Sequence, residues 1–153
     1  MKTKIITKNL EETHNAAKEF VESLNALIKD GQLGDGAVVV GLHGDLGSGK
    51  TSFVQGIAKA FDVKDNIISP TFVIQKRYEM KDHPQFKNMI HIDAYRLEKP
   101  DEILPLGWHN IKTDKKNIIF IEWPEKIGEH MPKDHKKILF EFIDKEERKI
   151  ELF

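Results

Sequence analysis

The stretch GLHGDLGSGKTSF constrains the fold more than any other part of the sequence. Within it, Gly44, Gly49, Lys50 and Thr51 satisfy the pattern G-x-x-x-x-G-K-[ST], in which backbone N–H groups surround phosphates, the lysine reaches the terminal phosphates and the hydroxyl binds Mg²⁺. With glycine at roughly 7% of residues, a chain of this length matches the pattern by accident about once in a few hundred cases. Residues 44–51, called the phosphate loop below, therefore predict a nucleotide site.

The residues on either side of the phosphate loop predict that it joins a strand to a helix. GAVVVGL, before the loop, is a β-branched run typical of a buried strand, and SFVQGIAKAF, after it, carries apolar residues at helical spacing. A polyphosphate fits at such a junction because free N–H groups and the positive end of the helix both point at the loop. The loop residues expected to bind the nucleotide are Asp45, Leu46, Gly47, Ser48, Gly49, Lys50, Thr51 and Ser52.

Length and composition limit the classes of protein to which this chain can belong. A chain of 153 residues predicts one domain over residues 1–153, with little room for an additional lid. The formal net charge of −1 predicts no strong nonspecific binding to nucleic acid, and the absence of cysteine excludes disulfides, thiolate zinc sites and cysteine nucleophiles. No stretch resembles a secretory signal or approaches membrane-spanning length, so we expect a soluble cytoplasmic protein that does not enter a membrane.

The remaining pattern predicts an α/β fold with helices flanking the sheet. KIITKN reads as a leading strand, followed by a helix capped by Asn9 with Glu12 and ending at Gly31. VIQKRYEM and NMIHIDAY read as an antiparallel pair, NIIFIEW as a buried strand, and KILFEFID with RKIELF as a closing hairpin. PDEILPLG predicts at most a short helix that is broken near Pro105.

Two carboxylates follow apolar runs that are predicted to be strands. Asp93 ends one run and Glu122 ends another, and a triphosphate site needs such a carboxylate for Mg²⁺ at the end of a neighbouring strand. In the predicted mechanism, Thr51 and Glu122 hold the metal and Lys50 neutralises the β- and γ-phosphates. Asp93 either completes the metal shell or orients the attacking water, and the sequence leaves open which carboxylate does which.

Three further features allow a structural and a functional interpretation. The SPTF segment either fixes a turn or acts as a switch loop in which Thr71 senses the γ-phosphate. His91 is expected to share a strand face with Asp93, where it either packs in the core, the favoured role, or hydrogen-bonds Asp93 or the phosphate loop. Trp108 and Trp123 are expected in the core or at an interface rather than against a cofactor.

The motifs together resemble one protein family. GDLGSGKT, SPTF, HIDAYRL and IEWPE occur in the order typical of the TsaE family, the bacterial ATPases required for making threonylcarbamoyladenosine in tRNA. The resemblance implies a P-loop fold with a mixed central sheet, and an ATPase that works with the TsaB and TsaD proteins and meets tRNA through them. It also implies that Thr51 and Glu122 bind Mg²⁺, that Asp93 belongs to the catalytic site and that Thr13 contacts ATP.

Other nucleotide-binding classes fit the sequence less well. The base-reading N-K-x-D and the D-x-x-G motifs of GTPases do not occur, which favours adenine. A small-molecule or nucleotide kinase is the rival enzyme, although such kinases use several arginines to hold phosphates, and this chain has Arg77, Arg96 and Arg148 alone. Of these, only Arg77 and Arg96 are expected near the switch-like hairpin, and the sequence leaves open whether either reaches the γ-phosphate. A third interpretation is an ATP-binding switch module with negligible hydrolysis on its own.

Overall fold

The fold is given by a computed structural model that describes residues 3–68 and 74–152. The strands in chain order are β1 (Thr3–Thr7), β2 (Val38–His43), β3 (Gln75–Glu79), β4 (Asn88–Asp93), β5 (Asn117–Glu122), β6 (Lys136–Phe142) and β7 (Arg148–Leu152). The helices are α1 (Leu10–Lys29), α2 (Lys50–Ala60) and α3 (Trp108–Thr113), with 3₁₀ segments at Pro100–Leu106 and Pro124–His130.

The seven strands form one mixed sheet in the order β1-β7-β6-β2-β5-β4-β3. The central strands β6, β2, β5 and β4 are parallel to one another. The pairs β1–β7, β6–β7 and β3–β4 are antiparallel, so each side of the parallel centre ends in antiparallel strands. The predicted α/β fold with a mixed central sheet and flanking helices is confirmed.

The central strands are buried because helices and turns cover both faces of the sheet. All six residues of β5, NIIFIE, are buried, as are the first five of β2, VVVGL. Continuous β-branched runs of this kind are typical of parallel strands with both faces covered. Alternate residues therefore contribute to two separate apolar cores, one on each face of the sheet.

Helices α1 and α2 cover one face, and α3 with the two 3₁₀ segments covers the other. As predicted, α1 begins after Asn9, whose side-chain oxygen accepts a hydrogen bond of 2.8 Å from the backbone N–H of Glu12. On the opposite face, Trp108 is fully buried and its indole N–H donates to the carbonyl of His130 at 3.0 Å. Among the helices of the described residues, none is both long enough and apolar enough to cross a membrane.

The PDEILPLG segment differs from its prediction. It forms a 3₁₀ segment that continues through Pro105 to Leu106 instead of breaking near the proline. Proline has no N–H to donate, but the following turn closes independently, because Gly107 donates its N–H to the carbonyl of Leu104 at 3.1 Å. Helix α3 and the segment Pro124–His130 were not predicted.

Candidate functional site

The phosphate loop connects the end of β2 to the start of α2, as the sequence predicts. Its first glycine, Gly44, has φ +153°, and a Cβ there would lie 2.7 Å from the carbonyl oxygen of Phe140 and 2.7 Å from Oγ of Ser48. A side chain at this position would collide with the neighbouring strand. Because the N-cap of α2 is Gly49, no side chain of that residue covers the helix N-terminus, where an anion is favoured.

Lys50 is buried at the first position of α2, with 4% of its surface exposed. Its Nζ donates to the carbonyl of Gly44 and lies 4.1 Å from the centroid of the Trp123 ring. Burial lowers the pKa of Lys50 below its usual value, whereas the charges of Glu122 and Asp93 act in the opposite direction. In this structure the ammonium is therefore held by a carbonyl and an aromatic face. Trp123, which was expected in the core or at an interface, thus contacts the lysine of the phosphate loop.

The two predicted carboxylates lie side by side at the carboxyl edge of the sheet. β4 and β5 are parallel, and Asp93 is the register partner of Glu122. The residues are 5% and 4% exposed, respectively, and both line the same cleft as Lys50 and Thr51. The Asp93 side chain also accepts a hydrogen bond of 3.0 Å from the N–H of Tyr95. The cleft thus contains the carboxylates of Asp93 and Glu122 from the sheet, and the Thr51 hydroxyl and the Lys50 ammonium from α2.

The cleft has a volume of about 780 Å³ and is formed by four parts of the chain. These are the start of α1, the phosphate loop with α2, the ends of β4 and β5, and the turn between β6 and β7. Its lining comprises Lys8, Asn9, Leu10, Thr13, Leu46, Gly47, Gly49, Lys50, Thr51, Ser52, Asp93, Glu122, Lys145, Glu146 and Arg148.

Among the described residues, most of the predicted site residues line this cleft, and Asp45 and Ser48 do not. Asp45 is exposed on the loop, and Ser48 is buried behind it. Thr71 lies outside the described residues. Thr13, which the family resemblance implied, lines the cleft; its hydroxyl donates to Oγ1 of Thr7 at 3.0 Å and approaches the carbonyl of Asn9 at 3.3 Å.

The hairpin of β6 and β7 was predicted, but the place of its turn at the cleft was not. Arg148 lies close enough to the phosphate loop that a Cβ at Gly49 would be 3.6 Å from its Cγ. Its Nη1 donates to the carbonyl of Asp144 at 2.6 Å and to that of Glu147 at 3.1 Å. The charged run DKEERK was the available signal, but only the pairing of β6 with β7 brings it to the loop.

His91 also has a contact that the sequence did not predict. It shares a face of β4 with Asp93, as expected, but its Nε2 lies 2.6 Å from Oε2 of Glu122 on the adjacent strand. A carboxylate accepts hydrogen bonds, so Nε2 is the nitrogen that carries the proton in this contact. His91 is fully buried, and its partner is Glu122 rather than the Asp93 or phosphate-loop partner that the sequence suggested.

The oxygen-rich edge of the cleft suits a hard cation. Mg²⁺ is bound in proteins by one or two carboxylates together with hydroxyl, water and phosphate oxygens. Thr51, Asp93 and Glu122 supply such oxygens, and within residues 3–68 and 74–152 there is no group of three or more His, Cys, Asp or Glu side chains that would hold a metal alone. The oxygens of these three side chains fit a hard cation such as Mg²⁺.

Comparison with known proteins identifies the family. The model of the family described as threonylcarbamoyl adenosine biosynthesis protein TsaE matches residues 7–150. This chain belongs to the TsaE family. The resemblance inferred from GDLGSGKT, HIDAYRL and IEWPE is confirmed, and the family is one of tRNA threonylcarbamoyladenosine biosynthesis.

Individual relatives agree with the family assignment. A protein of Nostoc described as tRNA threonylcarbamoyladenosine biosynthesis protein TsaE is 34% identical, and the match covers 98% of this chain and 85% of the relative. A protein of the same description from Rickettsia prowazekii is 42% identical over 76% of this chain and 71% of its own length. The crystal structure of Bacillus subtilis YdiB superposes with a TM-score of 0.72 at 28% identity, covering 99% of this chain and 84% of YdiB.

Proposed function

We propose that this TsaE-family protein binds ATP with Mg²⁺ in the cleft and hydrolyses it as an accessory ATPase for threonylcarbamoyladenosine modification of tRNA. The observation that carries the proposal is the register pairing of Asp93 with Glu122 beside the phosphate loop. The pairing brings two buried carboxylates to the cleft that also contains Lys50 and Thr51. A phosphate loop, a lysine and such carboxylates are the recurring parts of triphosphate hydrolysis.

Each residue has a separate part in the proposed reaction. The N–H groups of the phosphate loop and Lys50 bind the β- and γ-phosphates, while Thr51 and Glu122 are the side chains that would hold Mg²⁺. Bound Mg²⁺ neutralises charge that develops on the phosphate oxygens. Asp93 either completes the metal shell or orients the water that attacks the γ-phosphorus; the bond to the β-phosphate oxygen breaks, giving ADP and phosphate.

The proposed partners are the TsaB and TsaD proteins, and the protein is proposed to associate with tRNA indirectly, through that complex. Support comes from the family, whose members are named for tRNA threonylcarbamoyladenosine biosynthesis. The cleft at the phosphate loop supports a nucleotide as the ligand, and the net charge of −1 gives no electrostatic reason for strong direct binding to tRNA. The energy of hydrolysis is therefore proposed to act on a protein partner.

The experiment that tests the proposal compares Lys50→Ala, Glu122→Gln and a control variant, Lys59→Ala. We expect Lys50→Ala to lose ATP binding or turnover while remaining folded, because the lysine acts on phosphate. Glu122→Gln should bind ATP in EDTA but lose Mg²⁺-dependent hydrolysis by about 100-fold, since an amide keeps the shape and removes the charge. Lys59, an exposed lysine in the last turn of the same helix, should be replaceable without effect.

The readouts are calorimetric ATP titrations with and without Mg²⁺, steady-state phosphate release, and thermal unfolding to show that each variant is folded. Unchanged ATP affinity and turnover in folded Lys50→Ala would contradict the proposed nucleotide site. If Glu122→Gln keeps wild-type Mg²⁺ dependence and turnover, the metal role moves to Asp93.

A further inference from the structure

His91 forms a buried contact that connects two strands behind the cleft. It lies on β4, is fully buried, and places Nε2 at 2.6 Å from Oε2 of Glu122, which ends β5. The register partner of His91 is Phe120, so the contact to Glu122 is diagonal, reaching toward the carboxyl edge of the sheet. One oxygen of the Glu122 carboxylate is thereby bound from within the protein.

We propose that His91 is a positioning residue that orients the Glu122 carboxylate for metal binding in the cleft. The inference rests on the proposed function, in which Glu122 is a ligand of Mg²⁺. Because His91 engages Oε2, Oε1 is the carboxylate oxygen that His91 leaves for the metal. Donors that bind a ligating side chain from behind fix its orientation and are a general feature of metal sites.

Packing alone does not account for a histidine at this position. Its face of β4 also carries Met89, and Phe120 is its partner on β5, so the surroundings include apolar side chains. Nδ1 of His91 is buried without a hydrogen-bond partner among the described residues. A leucine would fill the space without burying an unpaired nitrogen, so the Nε2 contact is what the histidine contributes.

Glu122 needs that contact for a physical reason. Only 4% of the residue is exposed, and a buried carboxylate must find hydrogen-bond donors. Of the carboxylates whose charge acts on Lys50, Glu122 has the largest effect. Without His91, the freed carboxylate would be drawn toward the Lys50 ammonium and away from the metal position.

The test uses the full chain with three substitutions at one position. His91→Leu removes the donor and keeps an apolar volume. His91→Gln retains an N–H at about the reach of Nε2, and His91→Asn carries one on a shorter side chain that does not reach Glu122. Met89→Leu is the matched control, because Met89 is fully buried on the same face of the same strand.

The readout is the concentration of Mg²⁺ needed for half-maximal tightening of a nonhydrolysable ATP analogue, measured beside the affinity for the analogue in EDTA. We expect His91→Leu and His91→Asn to raise the required Mg²⁺ by about 10- to 100-fold, with the affinity in EDTA unchanged. His91→Gln should recover most of the loss, and Met89→Leu should match wild type. In a Glu122→Gln background, His91→Leu should add little further loss, because the two side chains act through one contact.

The outcomes separate this inference from the proposed function. If wild type binds the analogue with Mg²⁺ dependence and His91→Leu does so equally well, the role of His91 is overturned and the proposed function stands. A loss of affinity that is the same in EDTA and Mg²⁺ would indicate a structural role and would also overturn it. If His91→Leu does not fold, the comparison of His91→Gln with His91→Asn decides. Equal Mg²⁺ concentrations for half-maximal tightening in these two variants would contradict the inference. If wild type binds no ATP, the proposed function falls and this inference falls with it.

Discussion

The contacts of Lys50 in this structure differ from those that its proposed task requires. Its ammonium contacts the carbonyl of Gly44 and the ring of Trp123, and burial lowers its pKa. The carboxylates that oppose this lowering are Glu122, Asp93, Glu125 and Asp45. A bound triphosphate would favour the charged form strongly, so nucleotide binding should draw the ammonium from the Trp123 ring toward the phosphates.

The first residue-level prediction is that ATP affinity falls as the pH rises through the alkaline range. Burial lowers the pKa of Lys50 in this structure. Bound phosphates would raise that pKa, because their negative charge favours the protonated ammonium. Above the lowered pKa of Lys50, binding must therefore take up a proton. The association constant should then fall by up to about tenfold per pH unit, the limit for one proton. Calorimetric titrations from neutral pH upward, in buffers of different ionisation enthalpy, measure both the slope and the proton uptake.

Lys50→Arg is the control for this pH dependence. Arginine stays protonated throughout the range, so whatever affinity the variant retains should not follow the same slope. Parallel slopes for wild type and Lys50→Arg would show that another group titrates. An ATP-induced change in Trp123 fluorescence in wild type, reduced in Lys50→Ala, would report the movement of the ammonium directly.

Local sequence was sufficient to find some site residues and insufficient for others. Lys50 and Thr51 belong to a contiguous motif, and Asp93 and Glu122 mark the ends of apolar runs, so their types and spacing predict their positions. The contact of His91 with Glu122 depends on the register of β4 against β5, which no local pattern specifies. The same holds for Arg148, which reaches the phosphate loop only through the β6–β7 hairpin and was not among the predicted site residues.

Among helices and strands, those with strong periodicity and caps were predictable, and short tertiary segments were not. Helix α1 has an Asn9 cap and twenty residues with an apolar face. Helix α3 has six residues, and the segment Pro124–His130 contains a non-helical Gly128. The two are joined by the hydrogen bond from Trp108 to His130, a contact between residues that are distant in sequence. Such segments form because they pack on the sheet, and their own sequences carry little signal.

The packing of α1 on α2 gives a prediction at Gly56. A Cβ there would lie 2.8 Å from the Cβ of Ala17 and 2.9 Å from the Cα of His14. Alanine in place of glycine stabilises an ordinary helix interior by about 1 kcal/mol. Here we expect Gly56→Ala to lower the free energy of unfolding by about 1–3 kcal/mol instead, because the helices must separate. Urea denaturation of wild type and Gly56→Ala measures this difference in the free energy of unfolding.

A compensating variant tests the cause of this destabilisation. Ala17→Gly removes one of the two close contacts, so the double variant should regain part of the loss relative to the sum of the single variants. The same displacement should weaken ATP binding, because Thr13 on α1 and Lys50 on α2 line the cleft from the two helices. A Gly56→Ala protein more stable than wild type would show that the helices accommodate the methyl group without separating.

Across the molecule as a whole, the sheet order brings distant parts of the chain to one cleft. β1 pairs with β7 in a register that sets Thr7 beside Arg148, so the start of α1 and the β6–β7 turn are neighbours and both line the cleft with the phosphate loop. The α/β class was predictable from the alternation of strand and helix patterns. The order of the strands depends on long-range pairing, so the four-part cleft was not predictable in full.

The last prediction is that the isolated protein hydrolyses ATP slowly and that its partners accelerate it. An arginine that stabilises the transition state raises rates by large factors, and Arg148, which lines the cleft, donates from Nη1 to the backbone carbonyls of Asp144 and Glu147. Turnover of the chain alone should therefore be far below the typical enzyme value of about 10 s⁻¹. Docking of TsaB and TsaD should raise it by fixing the residues around the nucleotide.

Thermodynamic linkage extends this prediction from rates to affinity. If the partners favour the ATP-bound arrangement, ATP must tighten the complex by the same factor by which the complex tightens ATP. Steady-state phosphate release, with and without the TsaB and TsaD proteins, measures the first effect. Complex affinity with an ATP analogue, with ADP and without nucleotide measures the second, and Lys50→Ala, which should not respond to nucleotide, is the control. Fast turnover alone, unaffected by partners, together with a complex affinity indifferent to nucleotide, would contradict the accessory role and favour the kinase interpretation.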